Sequence, residues 1–255
     1  MFIDSHTHLY LEQFSSDRDE VVQRAIGVEV SKMFLPNIDV RTIVPMLELV
    51  DRFPENCFPM MGLHPTSVKE DYRDVLEEIK SHLDKRKFIA IGEIGIDLYW
   101  DKTFINQQKE AFSMQIEWAK KLQLPIVIHA RDSFNEIFEV LDNIWEEGLT
   151  GVFHSFSGDL QQAEKALSYQ FYLGINGIVT FKNSALADIV AKVPVERILL
   201  ETDAPFLSPA PLRGKRNESC NILHIAKKIS EIYNLSLSQL AEITSKNALN
   251  LFKPD

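Results

Sequence analysis

MFIDSHTHLY, residues 1–10, leads an apolar run into two histidines separated by one residue. MFIDSH, residues 1–6, reads as the first strand. Residues two apart on a strand point to the same side, so His6 and His8 would aim at one point. A helix would need i, i+4 spacing to make the same pair. Outward from this stretch, short apolar runs recur at 32–38, 57–63, 88–94, 125–130, 151–156, 171–176 and 197–202. Their nearly continuous apolar character is that of parallel strands covered on both faces. Between them lie amphipathic stretches predicted as helices: Arg18–Ile26, Thr42–Arg52, Tyr72–Leu83, Ile105–Leu122, Ser133–Trp145, Leu160–Ser168 and Ser184–Ala191. Asn221–Tyr233 and Ser238–Phe252 follow the last strand.

Eight strands with intervening helices, and no linker, repeat or low-complexity stretch, predict an α/β fold. Its expected form is a single (β/α)8 TIM barrel over residues 1–255, close to the ~250 residues typical of that fold. An open doubly wound sheet is the competing arrangement. Against it, no strand is followed by a G-x-G-x-x-G or P-loop stretch.

Composition is ordinary for a globular protein, with 45% hydrophobic and 25% charged residues. No apolar segment reaches the ~20 residues that span a bilayer, so no membrane association is expected. No basic region followed by an apolar one precedes IDSHTH, so a secretion signal is not expected. Cys57 and Cys220 form no C-x-x-C pattern and read as buried thiols of a reducing compartment, with cytoplasm the expected location. The formal charge of −10 and pI near 5.2 have the wrong sign for gripping long duplex through its phosphates. They allow a nucleotide or strand end in a small site, because local charge can oppose global charge. No obligate protein partner is indicated.

The polar residues fall into register with the predicted strands. His6 and His8 end the first, His64 follows the third, Glu93 ends the fourth, His129 the fifth and His154 the sixth, and Asp203 follows the eighth. In a parallel barrel these ends share the C-terminal rim, where active sites form. Singly, each histidine could be a capped core residue, Glu93 a partner for backbone amides and Asp203 a turn cap. Jointly, five of the seven histidines and two acids reach one rim, which would be costly to bury without a cation. His82 and His224 lie in helical segments and read as structural or surface residues. Nitrogen and oxygen donors without cysteine suit Mg²⁺, Mn²⁺ or Zn²⁺. Two divalent ions sharing Glu93 as a bridge, ~3.5–4 Å apart, form the economical arrangement. His6, His8 and Asp203 would hold one, and His129 with His154 the other.

HTHL at 6–9, GLHP at 62–65, GEIGID at 92–97, IHARD at 128–132, FHSFSG at 153–158, ETDAP at 201–205 and RGKRN at 213–217 together resemble the TatD family of metal-dependent deoxyribonucleases. This is a branch of the amidohydrolase-type barrels, and the resemblance runs from the first strand to the last helices. It implies a divalent-metal-dependent nuclease, usually a 3′→5′ exodeoxyribonuclease on single-stranded DNA. Carried over by motif, the metal ligands are His6, His8, Glu93, His129, His154 and Asp203, with His64 and Glu201 as further active-site residues. The chain departs from the family at Glu218-Ser219, where proline usually follows the glutamate.

Phosphodiester hydrolysis suits this constellation, with Asp203 expected to serve as general base as well as ligand. The two rim acids alone are negative, and two dications would turn the rim positive, so phosphate should bind only after metal. Arg213, Lys215 and Arg216 form a basic loop beyond the eighth strand. Arg213 is the expected phosphate anchor, for its forked donors. Arg131 is a second anchor or an ion-pair partner. Tyr99 and Trp100 suit base stacking or core packing equally, and Phe156 reads as core. The rival enzyme is a binuclear amidohydrolase or lactonase acting on a carbonyl. Many such proteins bridge their ions with a carboxylated lysine, and here Glu93 stands in that position. A barrel kept only for binding would have lost ligands, and this chain has the full set.

Overall fold

In a computed structural model, which describes residues 1–254, eight parallel strands alternate with helices. The strands are β1 (Phe2–Asp4), β2 (Val30–Pro36), β3 (Cys57–Met60), β4 (Ile91–Asp97), β5 (Ile126–Arg131), β6 (Gly151–Phe153), β7 (Tyr172–Ile175) and β8 (Ile198–Leu200). The helices between them are α1 (Arg18–Gly27), α2 (Val40–Arg52), α3 (Tyr72–Lys80), α4 (Ile105–Leu122), α5 (Phe134–Ile144), α6 (Leu160–Ser168) and α7 (Leu186–Val190). After β8 come α8 (Ile222–Tyr233) and α9 (Leu237–Phe252). Capping boxes start α2 at Asp39/Thr42, α6 at Asp159/Gln162 and α9 at Ser236/Gln239, each satisfying amides that a helix start leaves free. Among the described residues no helix is long and apolar enough to cross a membrane.

Strands pair in the order β1-β2-β3 and β4-β5-β6-β7-β8. The two runs join at a parallel bridge between Met61 and Ile91. They close on the other side where the Ser5 amide donates to the Leu200 carbonyl at 3.0 Å and the Asp203 amide to the His6 carbonyl at 2.9 Å. The result is the expected (β/α)8 barrel. Its interior is packed by Ile3, Phe34, Met60, Val127, Val152 and Leu199, one from each of six strands. Phe252 of α9 plugs the lower end, edge-on to Phe34 at 4.9 Å. The larger apolar cluster lies between the strands and the surrounding helices.

The main correction concerns β4. The apolar run predicts 88–94, whereas the ladder runs Ile91–Asp97, placing Glu93 inside the strand rather than at its end. An apolar count stops at the first charge. A strand continues while its backbone can pair, and GEIGID pairs with β5 as far as Asp97 opposite Arg131. Similarly, β1 stops at Asp4, short of the predicted residue 6, although the Thr7 amide still donates to the Phe34 carbonyl at 3.1 Å.

Asp4 is the clasp of this closure. Its carboxylate, fully buried, accepts the Thr202 amide at 2.9 Å and the Thr202 hydroxyl at 2.6 Å, tying β1 to the segment after β8. Burial pushes the carboxyl up to about 7, against hydrogen bonds from Ser219 and Thr202 that favour its charged form. An acid with a raised folded-state pKa contributes fully below its unfolded value, and that contribution is lost as pH rises through the folded one. In metal-free protein, Asp4→Asn should therefore gain on wild type in urea midpoint between about pH 5 and about pH 8. A difference that does not move with pH would contradict this role for Asp4.

Candidate active site

Strand alternation builds the site. Val127, Val152 and Leu199 point into the barrel, and two residues further on, His129, His154 and Glu201 take the same side above them. Asp203 continues the series beyond β8, at φ 57°. On β4, Glu93 and Asp97 flank Gly95, whose φ is 140°. A Cβ at Gly95 would lie 2.1 Å from the His129 carbonyl oxygen, so glycine is what allows β4 to lie against β5 here. After Ile3 the alternation slips by one, and His6 and His8 rather than Ser5 and Thr7 reach the axis. Ser5 instead turns sideways, its hydroxyl donating to the Leu200 carbonyl at 2.9 Å.

Every predicted histidine ligand converges on Glu93, which is 2% exposed. Its Oε1 is met by His129 Nδ1 at 2.8 Å, His154 Nε2 at 3.0 Å and His64 Nε2 at 3.2 Å. Its Oε2 is met by His6 Nε2 at 3.2 Å and His8 Nε2 at 3.6 Å. Asp203 Oδ1 approaches the latter pair, at 3.8 Å from His6 and 3.5 Å from His8. Three sets of side chains bring donor atoms close enough to share an ion: His6, His8 and Asp203; His6, Glu93 and His154; His64, Glu93 and His129.

Partners outside this group decide which ring nitrogens carry lone pairs. Tyr10 donates its hydroxyl proton to the Pro36 carbonyl, so it accepts from His8 Nδ1 at 2.8 Å and leaves His8 Nε2 bare toward the site. His129 Nε2 donates to Asp97 Oδ2 at 2.9 Å, turning Nδ1 toward Glu93. Behind His154, Nδ1 stands 3.3 Å from Glu201 Oε1. His64 is oriented the opposite way. Its Nδ1 accepts the Thr66 amide at 3.2 Å, so the proton sits on Nε2 and His64 is a donor, not a ligand. The remaining donor set fits a divalent cation chemically. The Nε2 atoms of His6 and His8 stand 3.2 Å apart beside two carboxylates, and the buried Nδ1 atoms of His6 and His154 have no hydrogen-bond partner.

The electrostatics follow from crowding. Burial would raise the Glu93 carboxyl, but the charges of His154, His64 and His6 and the hydrogen bond with His129 hold it well below the usual carboxylate range. Asp203 is likewise held low, against burial, by His8, His154 and His6. Burial lowers His6 and His64, assisted by neighbouring imidazoles. His154 is lifted well up by Glu93 and Glu201 against burial, and His129 is lifted by Asp97 and Glu93.

These groups floor an open cleft of about 680 Å³ whose walls include Trp100, Arg131, Ile178 and Phe206. Arg131 lies over the Tyr99 ring at 3.8 Å and near Trp100 at 5.4 Å. Phe156 is buried, as expected. Two of the expected residues lie off the cleft wall. Glu201 is 1% exposed behind His154, accepts the Ser155 amide at 2.6 Å and does not line the cleft, so it cannot touch a substrate there. A Cβ at Gly174 would sit 2.2 Å from its Oε2, so the glycine makes its berth. Arg213 stacks on Phe181 at 4.2 Å, outside the cleft wall. Its neighbour Arg216 is engaged by Asp17 at 2.7 Å and Glu218 at 2.9 Å. Asn217 Nδ2 bonds the Thr202 and Phe206 carbonyls, each at 2.8 Å. RGKRN is thus a strut for the β8 loop. Beyond it, Glu218-Ser219 enters α8 through a short 3-10 turn, Ser219–Asn221.

Sequence reasoning missed Asp97 and Tyr10. Both were within reach, since Asp97 keeps strand parity with Glu93 and Tyr10 with His8. In metal-free protein, Asp97→Asn is expected to lower the pKa of His129, read from its imidazole NMR shifts across a pH series. An unchanged titration would remove Asp97 from its role.

Residues 3–253 match the family model described as TatD related DNase. The chain is 36% identical, over 99% of both sequences, to the uncharacterized metal-dependent hydrolase YabD of Bacillus subtilis. It is 30% identical, over 98% of both, to the 3'-5' ssDNA/RNA exonuclease TatD of Pectobacterium parmentieri. The crystal structure of YjjV, a TatD homologue from Escherichia coli, superposes with a TM-score of 0.92 at 29% identity, covering 99% of this chain and 98% of that one. The chain belongs to the TatD-related DNase family.

Proposed function

We propose that the protein is a phosphodiester hydrolase that uses two divalent cations and removes nucleotides from the 3′ end of single-stranded DNA. The observation that carries this reading is the Glu93 carboxylate, whose two oxygens face separate groups of imidazole nitrogens on the floor of an open cleft. His6, His8 and Asp203 would hold one ion, His129 Nδ1 and His154 Nε2 the other, with Glu93 between them. Divalent cations there would supply water acidic enough to deprotonate near neutral pH, and charge to offset that building on phosphoryl oxygens.

The chain's own groups do the rest. Asp203, ionised and on the cleft wall, is positioned to take the proton of the attacking water. His64 offers its Nε2–H to a phosphoryl oxygen, a role its bond from the Thr66 amide favours. Arg131, backed by Tyr99, is the phosphate anchor inside the cleft, and Trp100 is a stacking surface. Glu201 positions His154.

Charge supports the order of events. Glu93, Asp97, Glu201 and Asp203 bring four carboxylates to the centre. Two dications therefore neutralise the site rather than making it positive, as counting the two rim acids alone predicts. Arg131 and His64 must then supply the pull on phosphate. Without cations the carboxylates oppose it.

Chelation should consequently abolish binding of a single-stranded oligonucleotide as well as its cleavage, and tight binding by a stripped sample would contradict the charge argument. Arg131→Ala should raise KM for an oligonucleotide about tenfold while altering KM for a minimal aryl phosphate ester far less. Equal effects would remove its role as anchor of the strand. The reading as a whole is tested with end-labelled single- and double-stranded DNA and RNA, the metal-reconstituted protein and a His129→Ala control. A ladder shortening from the 3′ end of single-stranded DNA, absent in the control, is expected. Hydrolysis of lactones or amides with no effect on any strand would overturn it.

A further inference from the structure

We propose that the cleft grips the two nucleosides flanking the scissile phosphate on two separate aromatic plates, Phe206 at its Asp203 end and Trp100 at its Asp97 end. It would thereby accept only an unpaired strand end. The inference rests on the phosphodiester reading and adds how the strand is recognised.

Phe206 is 46% exposed and Trp100 69% exposed, and both line the cleft. The core buries most large aromatics of this chain, so two left at the mouth of one cleft mark a surface for an apolar partner. Each is pinned through its backbone. The Phe206 amide donates to the Asp203 carbonyl at 2.8 Å, and its carbonyl accepts Asn217 Nδ2 at 2.8 Å. The Trp100 amide donates to Asp97 Oδ1 at 3.2 Å. Tyr99 braces the Trp100 ring edge-on at 4.9 Å, with Arg131 stacked behind. Both rings therefore project from fixed backbone.

Their placement matches the row of donor atoms. The Phe206 ring lies 6.3 Å from that of His8, beside the His6, His8 and Asp203 group. Trp100 follows Asp97, which holds His129 at the other end. Glu93 lies between. A phosphodiester over Glu93 carries one nucleoside toward each end, so each plate meets one base. A flat apolar face with no hydrogen-bonding code suits any base, which is how sequence-tolerant single-strand recognition works. In a duplex those base faces are already stacked, and the plates are out of reach until the end frays.

The test is equilibrium binding, by fluorescence anisotropy, of an internally labelled single strand protected by phosphorothioate linkages, with Mn²⁺ present. Phe206→Ala and Trp100→Ala should each weaken binding about tenfold, and Phe206→Tyr should restore it. On wild type, an abasic site at the last or next-to-last position should cost about as much. Each alanine variant should be indifferent to an abasic site at one position, and the two variants at different positions. Binding by either variant within about twofold of wild type would overturn the proposal. So would a loss that persists undiminished on strands abasic at both positions. Failure of wild type to cut any strand with any divalent ion would overturn the nuclease reading itself, whatever the binding pattern.

Discussion

One carboxylate organises this barrel's mouth. Glu93 is buried, yet both its oxygens face imidazole nitrogens, so its ionised form is favoured only because those rings surround it. A buried carboxylate without such company would be protonated, and buried imidazoles without a carboxylate would be neutral. The arrangement makes sense as a whole or not at all. It draws on five strands that only barrel closure brings together, which is why Asp4 and Thr202, joining first strand to last, bear on the chemistry as well as the fold.

A second ring of residues decides what the first can do. Tyr10 and Asp97 each stand behind one histidine and turn its lone pair toward Glu93, Glu201 lies 3.3 Å behind His154, and Thr66 turns His64 the other way. A ligand is separated from a donor here by one backbone amide. Metal affinity commonly falls when such supporting partners are lost, because the ring is then free to rotate or change tautomer. Asp97 also holds the amides of Tyr99 and Trp100, so the residue that orients His129 anchors the loop carrying the exposed aromatic pair.

Much of this was legible in the sequence, for a physical reason. Parallel strands buried on both faces write themselves as apolar runs, and residues with no place in such runs stand out at their ends. His6, His8, His129, His154 and Asp203 were visible that way, and α4 and α6 were read to the residue. Glu93 was visible but placed at a strand end, because hydrophobicity stops where hydrogen bonding continues. What stayed hidden depends on contacts between distant segments. The positive charges of RGKRN suggest an anion site until the fold brings Asp17, 199 residues away, against Arg216. Glu201 carries a family motif but lies behind a histidine, and depth within a barrel has no signature along the chain.

On the proposed reading, Glu93 separates two cation positions. Crystals equilibrated with Mn²⁺, measured at the manganese absorption edge, address it directly. Two anomalous peaks are expected, one among His6, His8 and Asp203 and the other between His129 Nδ1 and His154 Nε2, with a Glu93 oxygen on each. A single peak away from Glu93, or no peak in this cleft at saturating metal, would contradict it.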